Sequence, residues 1–234
     1  MCGRYSLAKD AKLLADEFPS FGVIARLAAR YNIAPSQPIV IYKGCRPTAM
    51  DIVQWGLVPP WAKDPAIGSG MINARAETAA VKPAFRAAFH RKRCLVPADG
   101  WYEWGAIPGR KFRQPVWFHR RDGRPFSFAG LWEEWHDREG GLLVTATILT
   151  VPANALCHPF HDRMPAIIPP ESRAAWLSDE TTRTSDLQAL LRPEPAGGFA
   201  VRRVSTHVNS VANDDPACIA EAPAPPQQTD LFEP

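Results

Sequence analysis

The chain has 234 residues, a formal net charge of +3 and 46% hydrophobic residues, including eight tryptophans and eleven phenylalanines. This length and composition are typical of a globular protein with a full core. No apolar stretch reaches the roughly 18 residues of a membrane span, and no basic segment precedes a short apolar run as in a signal peptide. We therefore expect a cytoplasmic protein without a membrane partner.

The cysteines indicate a reducing compartment. The five are Cys2, Cys45, Cys94, Cys157 and Cys218. Their odd number and the lack of a Cys-x-x-Cys pair argue against a disulfide framework and against a zinc ribbon. Cys157, His158 and His161 are close in sequence, but no second pair of ligands stands at a usable spacing. We therefore predict no metal and no cofactor.

Charge is distributed unevenly along the chain. Residues 214–234 contain five carboxylates and neither lysine nor arginine, so the remainder is more basic than the net charge suggests. Such an excess favours a polyanionic partner, although a solvated basic face has the same composition.

Apolar runs predict that most of the chain is β-structure. The expected strands are residues 38–42, 51–55, 94–97, 100–104, 115–119, 126–135, 142–149 and 199–204. Helical spacing of apolar residues recurs in fewer places. The expected helices are residues 8–18, 84–90, 170–177 and 184–191.

Several connections contain turn-forming residues. We expect a turn-rich loop at residues 31–35, a hairpin turn at Asp122-Gly123 and an irregular polar loop at residues 157–165. Arg91-Lys92-Arg93 closes a helix, where the cations either suit the helix dipole or extend an electrostatic track for nucleic acid.

The expected fold class is α+β. We predict a single mixed domain, residues 1–221, with a predominantly antiparallel, barrel-like β core flanked by short helices. Residues 222–234 turn to Pro, Gln and acidic residues, which predicts a disordered tail.

The chain starts Met1-Cys2-Gly3. If methionine aminopeptidase removes Met1, as a small second residue permits, the α-amine of Cys2 becomes free beside its thiol. The amine can form a Schiff base with a carbonyl, and the thiol can then close a thiazolidine ring. Because an α-amine titrates at about pH 7.7–8.0, roughly a tenth of it is neutral and nucleophilic at pH 7. The alternative is an ordinary buried cysteine behind a retained Met1.

Four polar clusters interrupt segments that otherwise have the composition of a core. They are Cys2-Gly3-Arg4, residues 73–78 (NARAET), residues 99–104 (DGWYEW) and residues 161–165 (HDRMP). Together with residues 31–35 (YNIAP), these motifs stand in the order found in the SOS-response-associated peptidase (SRAP) family. The chain resembles this family from residue 2 to about residue 170.

The resemblance implies that the protein recognises abasic sites in single-stranded DNA. It also implies covalent attachment through Cys2 as a thiazolidine, which shields the lesion, together with autopeptidase and AP-lyase activities. The expected partner is single-stranded DNA that contains an abasic site. We expect a monomer that associates with the nucleoid upon damage.

The resemblance also implies a catalytic set of Cys2, Asn73, Glu103 and His161. Glu103 lies between two tryptophans, where burial raises a carboxyl pKa into the range of acid–base catalysis. His161 is expected to relay a proton, and Asn73 to hold the opened sugar or the Cys2 amine. The structural alternatives are a salt-bridged glutamate, a satisfied loop histidine and an asparagine that caps a turn.

The expected DNA contacts fall into two groups. The expected phosphate ligands are Arg4, Arg75 and Arg163, for which ion pairing is the alternative. The expected base contacts are Trp104, Pro35 and Trp61. Three other tryptophans are expected to pack in the core: Trp55, Trp101 and Trp132.

Two other functions compete with this hypothesis. Class II glutamine amidotransferases also begin Met-Cys-Gly, but their Arg-His-Arg-Gly and Asn-Gly-x-x-Tyr-Asn signatures are absent from this sequence. A non-enzymatic module that binds single-stranded or modified DNA would need the arginines and Trp104 but would tolerate the loss of Cys2.

The tail carries a separate motif. Gln228, Asp230, Leu231 and Phe232 resemble the Gln-x-[Asp/Ser]-Leu-Phe peptide with which bacterial repair proteins dock on the sliding clamp. A flexible tether would let the two apolar residues enter a pocket on the clamp. The alternative is a chance match to a short degenerate motif.

Overall fold

The computed structural model describes residues 2–19, 27–43, 50–106, 113–180 and 183–222. Its strands are β1 (Tyr5–Leu7), β2 (Arg30–Ile33), β3 (Pro38–Lys43), β4 (Met50–Trp55), β5 (Asn73–Arg75), β6 (Arg93–Ala98), β7 (Gly100–Ala106), β8 (Arg113–Arg120), β9 (Phe126–His136), β10 (Leu142–Pro152), β11 (Arg163–Pro165) and β12 (Phe199–Arg203). The α-helices are short: α1 (Ala11–Glu17), α2 (Ala76–Ala79), α3 (Arg86–Arg91), α4 (Arg173–Leu177) and α5 (Thr184–Ala189).

The strands form two sheets. The first has the order β12-β8-β7-β1-β2. In the second, β10, β4, β3, β6 and β9 close into a barrel because β10 pairs with both β4 and β9. β5 and β11 add to β10, and the parallel pairings among the described strands are those of β10 with β4 and β5. The predicted α+β fold with a mainly antiparallel, barrel-like core is confirmed.

Aromatic side chains fill the space between the sheet and the barrel. Tyr5 of the first sheet contacts Trp55 and Phe128 of the barrel edge-on, with ring centroids 5.4 and 5.8 Å apart. Trp101 stacks on Phe118 at 4.9 Å. The three tryptophans expected in the core, Trp55, Trp101 and Trp132, are buried as predicted.

Gly100, the first residue of β7, leaves room for a tryptophan side chain to pack across the strand. A Cβ at this position would lie 2.1 Å from Nε1 of Trp117, so only glycine lets the indole cross the strand. Nε1 of Trp117 donates a hydrogen bond of 2.9 Å to Oγ of Ser6 on β1. This contact locks the three central strands of the first sheet together, and the candidate site lies at the end of these strands.

The segment after β12 covers the outer face of the first sheet. Val204, Val208 and Cys218 pack on Tyr102 and Trp117 in a second, smaller apolar cluster. The buried amide of Asn32 anchors the segment, because its Nδ2 lies 2.7–3.1 Å from the carbonyls of residues 208, 210 and 213.

The predicted loop at residues 31–35 is wrong for its first half. Residues 30–33 form β2, with Tyr5 opposite Ile33, and the turn begins only at Pro35. Pairing with β1 and the hydrogen bonds of Asn32 outweigh the local turn preference of this sequence.

The predicted hairpin at Asp122-Gly123 is also wrong. A turn is present, and Gly123 has a positive φ of 69°. However, β8 and β9 on either side of it pair in different sheets. The turn therefore carries the chain from the first sheet to the barrel.

Two of the three cations in Arg91-Lys92-Arg93 bind to other groups of the protein. Lys92 lies 2.5 Å from Glu133, and the buried guanidinium of Arg93 donates to backbone carbonyls, including that of Trp176 at 2.7 Å. An ion pair thus accounts for Lys92, and hydrogen bonds to backbone carbonyls account for Arg93.

Residues 223–234 lie outside the described residues, and with them the predicted disordered tail and its residues Gln228, Asp230, Leu231 and Phe232. Among the described residues, no helix has the length and apolarity needed to cross a bilayer.

Candidate active site

Cys2 lies buried where the first sheet meets the barrel. Its carbonyl oxygen accepts a hydrogen bond of 2.8 Å from Nδ2 of Asn73. Asn73 begins β5, which pairs with β10 of the barrel opposite Ile148. The two sequence motifs that contain Cys2 and Asn73 therefore meet through a direct hydrogen bond, although 71 residues separate them.

Glu103 lies on β7 and faces the space between the sheet and the barrel. Side chains alternate along a strand, so Glu103 shares the face of Trp101, which packs on Phe126 and Phe128 of the barrel. Glu103 is only 5% exposed. Burial, reinforced by the charge of Asp162, raises the pKa of its carboxyl to about 7. At neutral pH Glu103 can therefore both give and accept a proton.

Two thiols share this environment. Burial, and then the charge of Glu103, raise the pKa of the Cys2 thiol far above its ordinary value. The same two causes raise the pKa of the Cys157 thiol to about 12. Both sulfurs are therefore protonated at neutral pH, and neither is a ready thiolate nucleophile.

His161 is held in its neutral form. Burial is the main cause that lowers the pKa of its imidazole. Its Nδ1 lies 2.9 Å from the backbone nitrogen of Arg163 and also 2.9 Å from Oδ1 of Asp162. Since the backbone N–H is always a donor, Nδ1 accepts from it and the ring proton lies on Nε2. In this neutral form Nδ1 has no proton to donate to Asp162, so the ion pair with that carboxylate forms only when the ring is protonated.

Phe160 brings the turn that precedes His161 against β7. A Cβ on Gly105 would lie 2.9 Å from Cδ1 of Phe160, so the absence of a side chain permits this close packing. Phe160 also contacts Phe118 edge-on at 5.5 Å. Gly105 is two residues beyond Glu103 on the same face of β7, and the turn therefore lies beside the buried carboxyl.

Comparison with known proteins identifies the family. The profile of the SOS response associated peptidase (SRAP) family matches residues 1–211. The abasic site processing protein YoqW of Bacillus subtilis is 40% identical over 223 residues, which cover 94% of this chain and 99% of the relative. The chain belongs to the SRAP family.

Other SRAP-like proteins agree with this assignment. YedK of Escherichia coli, which is also named an abasic site processing protein, is 30% identical over 224 residues and covers 91% of this chain and 96% of its own. A solved structure from Bacteroides thetaiotaomicron matches with a TM-score of 0.84 at 25% identity, covering 94% of this chain and 100% of that one.

In this SRAP chain Arg4 and Trp104 lie on the outer face of the first sheet. Nη1 of Arg4 donates to Oδ1 of Asn32 at 2.7 Å and to the carbonyl of Val208 at 2.8 Å. Its guanidinium carbon lies 5.6 Å from the centre of the Trp104 ring. The indole N–H of Trp104 donates to Oδ1 of Asn209 at 2.8 Å. Both side chains are thus held in fixed orientations.

Arg163 is mostly buried and ion-paired, unlike an exposed arginine whose guanidinium is available to bind a phosphate. It is 9% exposed, and its two terminal nitrogens lie 2.7 and 2.8 Å from the carboxylate oxygens of Glu77. Nη2 also donates to the carbonyl of Thr150 at 2.5 Å. Arg163 therefore connects α2, which directly follows Asn73–Arg75, to the strand that follows His161. A direct phosphate contact by Arg163 stays a prediction.

The other expected DNA contacts lie at the surface. Arg75 is exposed at the end of β5, and Pro35 is half-buried in the turn after β2. Trp61 is 57% exposed in the connection from β4 to β5. The contacts of these three residues with DNA stay predictions.

Five residues around the site have roles that the sequence did not reveal. They are Asn32, Glu77, Cys157, Asp162 and Asn209. Asn32, Glu77 and Asp162 stand inside the SRAP motifs, which was a usable signal. Nothing in the local sequence marks Asn209 as the partner of Trp104.

One group in the described residues has metal-ligand chemistry: His207, Asp215 and Cys218 place their ligand atoms within 4.8 Å of one another. Hydrogen bonds explain this cluster. Nε2 of His207 lies 2.9 Å from Asp215, and its Nδ1 accepts from the amide of Asn213 at 3.1 Å. Burial raises the pKa of the Cys218 thiol, which disfavours the thiolate that a metal would need.

Proposed function

We propose that this protein forms a covalent crosslink with abasic sites in single-stranded DNA through Cys2. The observation that carries the proposal is the meeting of Cys2 with Asn73 in a buried space that also holds Glu103, an acid–base group poised near neutrality. The names of the relatives YoqW and YedK, abasic site processing proteins, support it.

The reaction starts with removal of Met1, which frees the α-amine of Cys2. The opened sugar of an abasic site presents an aldehyde at C1′. The neutral amine attacks this carbon, and the carbinolamine loses water to give an imine. The thiol then adds to the imine carbon while the nitrogen takes up a proton, which closes the thiazolidine. One water molecule is released overall.

The amine attacks before the sulfur because the raised pKa of the Cys2 thiol leaves little thiolate in the free site. An α-amine is neutral far more readily, since it titrates at about pH 7.7–8.0. This order makes the imine the obligatory intermediate. If the ring fails to close, the imine allows β-elimination of the 3′ phosphate, which is the lyase activity expected of the family.

Glu103 and His161 move the protons. In its acid form Glu103 protonates the hydroxyl that leaves the carbinolamine, and in its base form it removes a proton from the attacking amine. When its ring takes up a proton, His161 can deliver the Nε2 proton to the sugar-ring oxygen as the ring opens, which returns the imidazole to its neutral form. Asn73 holds the backbone of Cys2 so that amine and thiol stay directed at one carbon.

DNA binding uses the outer face of the first sheet and the neighbouring surface. Trp104 and Trp61 offer indole rings, and Pro35 an apolar wedge, for bases beside the lesion. Arg4 and Arg75 supply positive charge for the phosphates. Because stacking and phosphate contacts carry no sequence information, they suit a protein that must find a lesion in any sequence.

The test is a crosslinking assay with single-stranded DNA that contains one abasic site. Wild-type protein should give a heat-stable band of reduced mobility, and the Cys2→Ala variant should give none while it still binds DNA reversibly. Equal crosslinking by Cys2→Ala would overturn the proposal. Reversible binding without any adduct would favour a binding module, and release of glutamate from glutamine would favour the amidotransferase.

The tail adds a second proposal, that it docks on the bacterial sliding clamp. The support is the motif of Gln228, Asp230, Leu231 and Phe232 at the end of a Pro-rich segment. This pattern offers two adjacent apolar side chains, Leu231 and Phe232, to a pocket on the clamp. Deletion of residues 222–234 should abolish capture by immobilised clamp, and undiminished capture would remove the idea.

A further inference from the structure

A cavity of about 280 Å³ is lined by residues of β7, β8 and β12 and by the turn that contains Phe160. Among the residues that line it are Gly105, Gln114, Val116, Phe160, Val201 and Arg203. None of these has a role in the proposed crosslinking reaction. The volume is close to the lower end of the range for small-molecule sites, roughly 300–1,000 Å³.

The strand register places this cavity next to the catalytic groups. Val116 on β8 lies opposite Glu103 on β7 and opposite Arg203 on β12, so the three side chains form one row across the sheet. Paired residues on neighbouring strands are about 5 Å apart, which puts Arg203 about 10 Å from Glu103. Phe160, which borders the cavity, directly precedes His161.

The lining combines a flat apolar wall with two polar groups at the rim. Val116 and Val201 provide the aliphatic surface, and Phe160 the aromatic one. Nε2 of Gln114 already donates to the carbonyls of Pro115 and Val204, which leaves its Oε1 as the acceptor of that amide. Arg203 is exposed and pairs with no carboxylate among the described residues.

Such a lining matches one unit of the proposed substrate. A nucleobase is flat, has apolar faces and carries hydrogen-bonding groups at its edge, and its nucleotide brings a negative phosphate. An aromatic wall beside a guanidinium is the combination with which proteins bind single-stranded nucleic acid. Because the cavity adjoins Glu103 and His161, the nearest available base is that of a nucleotide beside the lesion.

We propose that this cavity binds the base of the nucleotide adjacent to the abasic site, with Arg203 at its rim contacting a phosphate of the same strand. The inference rests on the proposed crosslinking function, because the reaction at Cys2 fixes which nucleotide reaches the cavity. The protein thereby binds the lesion through the base of the adjacent nucleotide, in addition to the stacking residues of the outer face.

The experiment compares three oligonucleotides, each with one true abasic site. In the first both neighbours carry bases; in the others the 5′ or the 3′ neighbour is replaced by a tetrahydrofuran residue, which lacks a base and an aldehyde. Only the true abasic site can react, so the crosslink fixes which nucleotide of the oligonucleotide lies next to the cavity. The measured quantity is the DNA concentration that gives half-maximal crosslinking rate.

For wild-type protein, removal of the base on one side should raise this concentration at least about five-fold, as expected when one stacked base is lost. The Val201→Trp variant, which fills the cavity from an edge strand at a position already 37% exposed, should respond equally to all three oligonucleotides. Val201→Phe is a smaller filling variant if the indole prevents folding. Leu142→Trp, at another exposed strand position, should behave like wild type.

Arg203→Gln should raise the concentration for all three oligonucleotides and reduce the slope of the salt dependence by about one, whereas Arg138→Gln in an exposed turn should not. Equal response of wild-type protein to all three oligonucleotides would overturn the cavity proposal, and so would a Val201→Trp variant that keeps the wild-type preference. Failure of every oligonucleotide to crosslink would overturn the proposed function, and with it this inference.

Discussion

The two faces of strand β7 differ in their exposure and in the side chains that they present. Glu103 points inward, is almost fully buried, and has a carboxyl pKa raised to about 7. Trp104, the next residue, points outward, where Arg4 and Asn209 hold its indole at the surface. One strand thus carries a buried carboxyl on one side and an indole held at the surface on the other, which the proposed function uses for proton transfer and for base stacking.

This difference shows how neighbouring residues can have separable roles. Replacement of Glu103 should slow the reaction without weakening DNA binding, and replacement of Trp104 should weaken binding without slowing the reaction.

Replacement of Glu103 by Gln should have the largest effect. Loss of a positioned general acid or base costs about 100-fold or more in rate, so crosslinking at saturating DNA should fall by at least that factor. Affinity for an oligonucleotide with a tetrahydrofuran lesion should stay close to wild type. Single-turnover kinetics and fluorescence anisotropy measure the two quantities, and Glu139→Gln in an exposed turn is the matched control. A variant that binds poorly but reacts at the normal rate would reverse the assignment of the two faces.

Arg163 should behave as a buried structural residue and Arg75 as a surface one. Breaking a buried ion pair costs about 3–5 kcal/mol, and since the Glu77 side chain is 47% exposed we expect Arg163→Gln to cost about 2–3 kcal/mol. Arg75→Gln should change the free energy of unfolding by less than about 0.5 kcal/mol and weaken DNA binding instead. Denaturant unfolding checks this pair. Arg163 would be a phosphate ligand if its variant were as stable as wild type and lost only affinity.

The buried carboxyl should make stability depend on pH. The pKa of Glu103 is raised from 4.5 to about 7 in the folded protein, so the folded state holds the proton more tightly than the unfolded chain. Its contribution to stability is complete below pH 4.5 and is lost as pH rises through about 7. Relative to wild type, Glu103→Gln should therefore be more stable at pH 8 than at pH 5, by about 1–3 kcal/mol. A difference that does not change with pH would contradict the raised pKa.

Trp104→Ala should act on DNA affinity alone. Loss of one stacking indole costs about 1–3 kcal/mol, which corresponds to roughly 5–150-fold weaker binding of single-stranded DNA. The crosslinking rate at saturating DNA should be nearly unchanged. Asn209→Ala, which removes only the partner of the indole N–H, should give a weaker form of the same defect. A large loss of rate at saturation would show that the two faces are coupled.

The sequence predicted burial of Glu103, because this residue stands between two tryptophans, and the structure confirms that burial. The family motifs named Asn73 and His161, whose catalytic roles stay predictions. β5 and β11 were not predicted because each has three residues and forms only by pairing with β10. Residues 31–35 contain turn-forming residues, yet pairing with β1 makes their first half a strand.

Arg163 illustrates what local reasoning misses. Its partner Glu77 is 86 residues away in the chain, and nothing near either residue indicates that they meet. The same holds for Trp104 and Asn209, which are 105 residues apart. Pairings of this kind depend on how the two sheets pack, which is decided by the whole core.

Mass spectrometry of the N-terminal peptide from the crosslinked protein tests the proposed thiazolidine directly. We expect a peptide that begins at Cys2, lacks Met1, and carries the abasic nucleotide remnant with the loss of one water molecule. The mass should also survive treatment with borohydride, since a thiazolidine has no imine to reduce. A remnant attached to a lysine, or to a peptide that still carries Met1, would contradict the proposed thiazolidine.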